Sequence, residues 1–167
     1  MHLMKHAVRL TGPLEPRSAW QAERCTIARA LEFIPARSAF LILREAFYGT
    51  SRFDDFAARV GISEPVAAAR LRELVDKGLL EREDYREPGQ RTRQRYRLTE
   101  KGADLFPVLV ALMQWGDRWL DEHGGPVRLR HRDCGETASV QVRCEAGHRV
   151  GPEELDLTRH PDSETGS

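Results

Sequence analysis

The order of three segments between residues 40 and 120 constrains this chain more than any other feature: FLILREAFYGTSRF, then GISEPVAAARLRELVDKGLLER, then RQRYRLTEKG. The first predicts a helix over 37–48, in which Phe40, Leu41, Leu43, Arg44 and Phe47 include a core-facing stripe. Gly49 supplies the left-handed residue that closes such a helix. Ser51 stands where a cap is expected for a short helix over 52–59, which buries Phe53, Phe56 and Val60 and stops at Gly61. A small residue there suits the tight corner of a helix-turn-helix. Ser63 then caps a helix over 64–77. Its apolar positions Ala67, Leu71, Leu74 and Val75 recur at i, i+4, i+7 and i+8, leaving Pro65, Ala68, Ala69 and Arg72 on the solvent side.

After Gly78 and two leucines the pattern changes period. Arg91, Arg93, Arg95 and Arg97 alternate with Thr92, Gln94, Tyr96 and Leu98, which places four guanidinium groups on one face of a strand. Charged edge strands also resist aggregation without any ligand, so this run taken alone has a second explanation. Beside an exposed helix that follows a tight turn, it reads as the wing of a winged helix-turn-helix. The pair implies double-stranded DNA as partner, with the helix in the major groove. Ser63, Glu64, Pro65, Ala68, Ala69, Arg70 and Arg72 are the candidate contacts on that helix. Alanine meets thymine methyls, while Arg70 or Arg72 meets guanine or phosphate. Arg91, Arg93, Arg95 and Arg97 are the candidates for phosphate or minor-groove contact.

A formal net charge of zero argues at first against a nucleic-acid partner, since phosphate binding needs cationic surface. The distribution removes the objection. Residues 24–120 hold 17 Lys and Arg against 14 Asp and Glu, whereas residues 121–167 hold 6 against 10. No apolar run approaches the roughly 20 residues needed to span a bilayer, and MHLMKHAVRL lacks the apolar core of a signal peptide. The expectation is a cytoplasmic protein with no membrane partner. Three cysteines, Cys25, Cys134 and Cys144, do not make a disulfide framework and read as thiols or ligands.

The ends of the chain are less patterned. Residues 1–23, with Gly12, Pro13 and Pro16, read as a mobile or dimer-wrapping arm. A helix over 24–34 carries Ile27, Leu31 and Ile34 and ends at Pro35. Thr99 caps a last long helix over 100–122, bent near Pro107, whose Leu105, Val108, Leu109, Leu112, Met113, Trp115, Trp119 and Leu120 form a broad apolar surface. That surface either completes the core or forms a two-fold interface. The second is favoured because two recognition helices must sit one DNA turn apart to read a palindromic operator. The fold class expected is α+β, mainly α: a winged helix-turn-helix domain over 24–123 with an N-terminal arm, a long C-terminal dimerisation helix, a small β-hairpin extension over 124–157 and a disordered tail over 158–167.

Residues 24–120 resemble the HxlR family of prokaryotic winged-helix regulators, relatives of the MarR group. The resemblance is carried by Cys25 just before the first helix, by LILREAFYGTSRFDDF, by GIS followed by RLRELVDKGLLER, by YRLTEKG and by WGDRWL. It implies a homodimeric repressor or activator. Several members use a cysteine at the position of Cys25 to sense oxidants, electrophiles or aldehydes, so the resemblance makes Cys25 a candidate sensor. Buried packing is the competing reading of a cysteine that begins an apolar helix. The effector is left open. An apolar seam between the first and last helices has room for one, but no polar constellation identifies it.

His131, Cys134, Cys144 and His148, spaced H-x2-C-x9-C-x3-H between the β-like runs VRLRH and SVQVRC, are candidate ligands for a structural zinc ion. Such pairs suit tetrahedral zinc because a short spacing lets one turn present two ligands. A metal-free hairpin packing on the wing or a partner is the alternative, and no other cofactor is indicated. A Gly-rich phosphate loop, GxSxG, HExxH and a carboxylate pair beside a histidine are all missing, so an enzyme is not expected. The remaining rival is a winged-helix protein-interaction module with a zinc hairpin, which would have no use for an arginine-rich wing.

Overall fold

The computed structural model describes residues 7–16, 25–34, 36–86, 89 and 93–160. Arg91, Pro35 and the tail beyond residue 160 lie outside them. The elements run β1 (Arg9–Leu10), α1 (Thr26–Phe33), α2 (Arg37–Phe47), α3 (Phe53–Val60), α4 (Glu64–Asp76), β2 (Leu80–Tyr85), β3 (Arg93–Leu98), α5 (Glu100–Ala103), α6 (Phe106–Trp119) and β4 (Asp156–Leu157). The chain divides into two compact units, one of residues 30–140 and one joining its two ends, 1–29 and 141–167.

In the first unit, α2, α3 and α4 converge on a core in which Ile42, Leu43, Phe56, Leu71, Leu74, Leu79 and Leu80 are fully buried. Leu71, Leu74 and Ala67 occupy the face their spacing assigns. On α2 the buried side is Ala39, Ile42 and Leu43, whereas Phe40, Leu41 and Phe47 are half-buried on a flank. Ala39, Ile42 and Leu43 follow i, i+3, i+4, and a stripe drawn through the aromatic residues passes to one side of it. α2 also buries a carboxylate. Glu45 accepts from Arg44 Nη2 at 2.8 Å and from the Thr50 hydroxyl at 3.1 Å, and Thr50 in turn accepts from Arg59 Nη1 at 2.8 Å. A buried charge is tolerated because it is paired and hydrogen-bonded.

Gly61, at φ 70°, turns the chain from α3 into α4 in the left-handed conformation that a Cβ disfavours. The wing follows directly. β2 and β3 pair antiparallel from Leu80↔Leu98 to Tyr85↔Arg93. Tyr96 anchors the sheet: its amide donates to the Ser51 carbonyl at 2.8 Å and its ring meets Phe56 edge-on at 6.1 Å. Two predicted caps differ. Arg52 rather than Ser51 holds the N-cap position of α3, and neither Arg52 nor Ser63 caps with its side chain.

The helix expected over 100–122 is two helices. α5 ends at Ala103 and α6 begins at Phe106, with Pro107 in its first turn. Proline has no N–H to offer the preceding turn and its ring clashes with the carbonyl four residues back, so the helix restarts instead of bending. Gly102 fixes where α5 lies, since a Cβ there would stand 2.0 Å from the Leu79 carbonyl oxygen. Thr99 caps α5 as expected, accepting from the Gly102 amide at 3.0 Å, and its hydroxyl donates to the Gly78 carbonyl at 2.6 Å. Thr99→Ala should therefore lower unfolding stability by about 1–2 kcal/mol in urea titration, because it removes a cap and leaves a carbonyl at the base of the wing without its donor. An unchanged midpoint would show that the cap does not hold the wing.

In the second unit, two short strands from its two segments pair. β1 pairs with β4 in parallel, Arg9↔Asp156 and Leu10↔Leu157, and the Arg9 guanidinium bonds Asp156 at 2.6 and 2.8 Å. That bond holds the Asp156 carboxyl below the usual carboxylate range. The two runs read as strands of one hairpin each close locally, with single bridges Arg130↔Thr137 and Arg143↔Arg149 around turns at Gly135 and Gly147, φ 73° and 86°. Short loops closed by backbone bonds, such as Gly135 to His131 and Gly147 to Cys144, both at 2.8 Å, satisfy these segments without a long register. Among the described residues no helix is long and apolar enough to cross a membrane.

Candidate nucleic-acid interface

α4 leaves α3 through the Gly61 corner and offers one exposed face. Ser63, Glu64, Pro65, Ala69 and Arg72 are exposed, Ala68 and Arg70 are half-buried, and Ala67 is buried beneath them. With no side-chain cap at Ser63, the first amides of α4 are left to water or to a phosphate oxygen. Arg70 and Arg72 separate in role. Arg70 is tied to Glu73, which also takes Lys77 Nζ at 2.7 Å. Those two cations, Lys77 first, hold Glu73 below the usual carboxylate range. Lys77 also donates to the Phe33 carbonyl, fastening α1 to the end of α4. The Arg70 group thus fixes the helix, and Arg72 is left as the cation on its exposed side.

The wing is less freely cationic than its sequence suggests. Arg95 Nε and Arg97 Nε converge on one oxygen of Glu83, at 2.9 and 2.7 Å. The hydrogen bond from Arg95, then the charges of Arg95 and Arg97, hold Glu83 below the ordinary carboxylate range; the same bond raises Arg95. Arg93 is exposed at the far end of β3. The Arg52 and Arg95 guanidinium carbons lie 5.6 and 5.8 Å from the centre of the Tyr85 ring. Glu83 and Tyr85 were not singled out from the sequence. The signal for Glu83 is the hairpin register, which sets it opposite Arg95.

The other candidates stand elsewhere. Cys25 is half-buried, and its carbonyl accepts the first helical bond of α1 from Arg29 at 3.0 Å. His131 Nδ1 lies 3.2 Å from Cys134 Sγ inside one turn, and the Cys144 amide bonds the His148 carbonyl at 3.0 Å inside the other. Among the described residues no three His, Cys, Asp or Glu side chains are gathered where they would hold a metal ion. Each spacing forms its own turn, and a turn of that length presents two ligands, not four.

A helix-turn-helix with a basic two-stranded wing defines the class to which this interface belongs. Residues 33–124 match the family model of the HxlR-like helix-turn-helix, and the chain belongs to that family. It is 47% identical over 120 residues to an HTH-type transcriptional regulator of Mycobacterium tuberculosis strain H37Rv, covering 71% of this chain and 75% of the relative. Among solved structures it is similar to PA1607, a candidate transcription factor, with a TM-score of 0.73, 37% identity and coverage of 86% of this chain and 99% of that one. It is also similar to the redox regulator HypR in its reduced form, with a TM-score of 0.52, 26% identity and coverage of 58% and 95%. The fold is the expected one, mainly helical with a small sheet.

Proposed function

We propose that this transcriptional regulator is a cytoplasmic homodimer that reads a palindromic operator. Each α4 enters a major groove through Ser63, Glu64, Pro65, Ala68, Ala69 and Arg72, and each wing follows phosphate or the adjacent minor groove through its arginines. The observation that carries this reading is the exposed face of α4 directly followed by a wing with Arg93 at its outer end. Bound in this way, the dimer blocks or recruits polymerase. The test is fluorescence anisotropy on DNA from upstream of its own gene and on a scrambled duplex, at two salt concentrations. Specific binding that survives the higher salt supports the reading, whereas equal, salt-labile binding to both duplexes overturns it.

Arg93→Gln should weaken binding several-fold on every sequence and reduce the slope of log K against log salt by about 0.9, the value of one lost phosphate contact. An unchanged slope would remove Arg93 from the interface. The likeness to HypR supports a second layer of control through Cys25. Treatment with hydrogen peroxide should change operator affinity in the native protein and leave Cys25→Ser unaffected, and an equal response in both would discard it.

A further inference from the structure

The first unit contains a half-open cavity of about 440 Å³ between α2, α6 and the segment around Val127. Its walls are almost wholly apolar, led by Phe40, Phe47 and Phe106, with Phe47 and Phe106 stacked at a tilt 5.1 Å apart. Two charged side chains, Arg44 and Asp117, also line it. Their situations differ. Arg44 is already engaged with Glu45 through Nε at 3.2 Å and Nη2 at 2.8 Å. Asp117 is half-buried and has no hydrogen-bond or ion-pair partner among the described residues. The backbone at Gly125 crowds it, since a Cβ there would stand 2.1 Å from Asp117 Oδ1.

We infer that this cavity is a binding site for a lipophilic cation: an aromatic or branched apolar body carrying one ammonium group that pairs with Asp117. The half-buried carboxylate is the one charged group of the cavity without a partner among the described residues, and an ammonium supplies both charge and donors. The aromatic rings favour the same sign, because their faces attract cations. The charge of Arg44 is already compensated by Glu45, and an anionic ligand would lie near Asp117. The volume falls in the range of small-molecule sites, about 300–1,000 Å³.

A second copy of the chain is the other conceivable occupant, and helix geometry argues against it. At 100° per residue, Phe106, Val110, Met113 and Asp117 recur on one side of α6. Val108, Trp115 and Trp119, the exposed apolar residues suited to a partner, fall about half a turn around. A partner seated on that strip leaves the cavity open. Arg44 in the cavity wall bonds Glu45, which is joined through Thr50 to Arg59 on α3, a physical connection to the helix-turn-helix. Any effect of the ligand on DNA affinity rests on the function proposed above, so the test is made without DNA.

Isothermal titration of the full chain at pH 7.5 would compare 1-naphthylmethylammonium, 1-naphthalenemethanol and 1-naphthylacetate, three probes of one shape and different charge. The expected result is one saturable site per chain for the cation, about tenfold tighter than the neutral alcohol, with the carboxylate weakest. Asp117→Asn, nearly isosteric, should bring the cation to the affinity of the alcohol while leaving the alcohol unchanged and the thermal melt intact. If Asp117→Asn melts early, Asp117→Ser serves in its place, with the same expectation for the cation and the alcohol. Tighter binding of the carboxylate, equal binding of all three, or no saturable binding of the cation would overturn the proposal.

Discussion

Trp115→Glu is expected to turn a dimer into a monomer and to weaken operator binding by at least about 100-fold, since removing one anchor aromatic from an interface centre often costs 2 kcal/mol or more and a buried unpaired charge adds to that. Trp115 is 58% exposed in the single chain, and Val108 and Trp119 on the same side of α6 are exposed to 46% and 63%. On α6 only Val110 is buried. A helix that completed the core of its own chain would bury that strip, and patches of this kind on a soluble protein mark interfaces. The substitution separates the alternatives by sign. If the strip faces only water, replacing an exposed tryptophan by glutamate leaves the mass, melting temperature and DNA affinity unchanged or improves solubility. If two copies meet there, light scattering shows the mass halved, and the two half-sites of the operator are no longer held together. Trp115→Phe, which keeps an apolar ring at the same place, should retain both dimer and affinity.

Much of this was legible because it follows a period. Ala67, Leu71 and Leu74 repeat with the helix, Phe56 and Gly61 mark a helix and its corner, and the arginines of β3 alternate with the strand. Local chemistry of this kind needs no knowledge of what lies across the fold. What the sequence hid depends on distant partners. Ile42 is the centre of the α2 core face, yet aromatic neighbours on a flank outweigh it when residues are judged by size. Pro107 could bend a helix or restart one, and the residues around it do not distinguish the two outcomes. The pairing of β1 with β4 joins residues 147 apart, and two-residue strands have no period to read. The four candidate zinc ligands showed spacing within each pair but not the geometry between pairs. In the interface, α4 and the wing were legible as surfaces, while the carboxylate that restrains the wing was visible only through the register of the hairpin.

That carboxylate has the opposite effect to most interface residues: Glu83→Gln should tighten DNA binding. Glu83 compensates one of the two positive charges of Arg95 and Arg97. DNA must either compete for those cations or use them with part of their charge already compensated. Removing one negative charge from the wing is equivalent to gaining about one phosphate contact, which at ~0.1 M salt raises affinity by up to about tenfold and steepens the salt slope by about 0.9. The gain should appear on operator and scrambled duplexes alike, so specificity is unchanged or falls. The dependence on pH has a definite sign. Arg95, first by hydrogen bonding and then by charge, holds Glu83 below the ordinary carboxylate range, so the ion pairs persist at all neutral pH values. They support the folded wing above the ordinary pKa of glutamate and are lost only as pH falls through the lowered folded value. The native protein and Glu83→Gln should therefore differ across the neutral range and converge only under acid conditions. Because the pair is exposed and screened, the melting temperature of Glu83→Gln should barely move. Anisotropy titrations at several salt concentrations measure the slope directly. A weaker complex would mean instead that Glu83 is needed to hold Arg95 and Arg97 in the posture in which they meet the DNA.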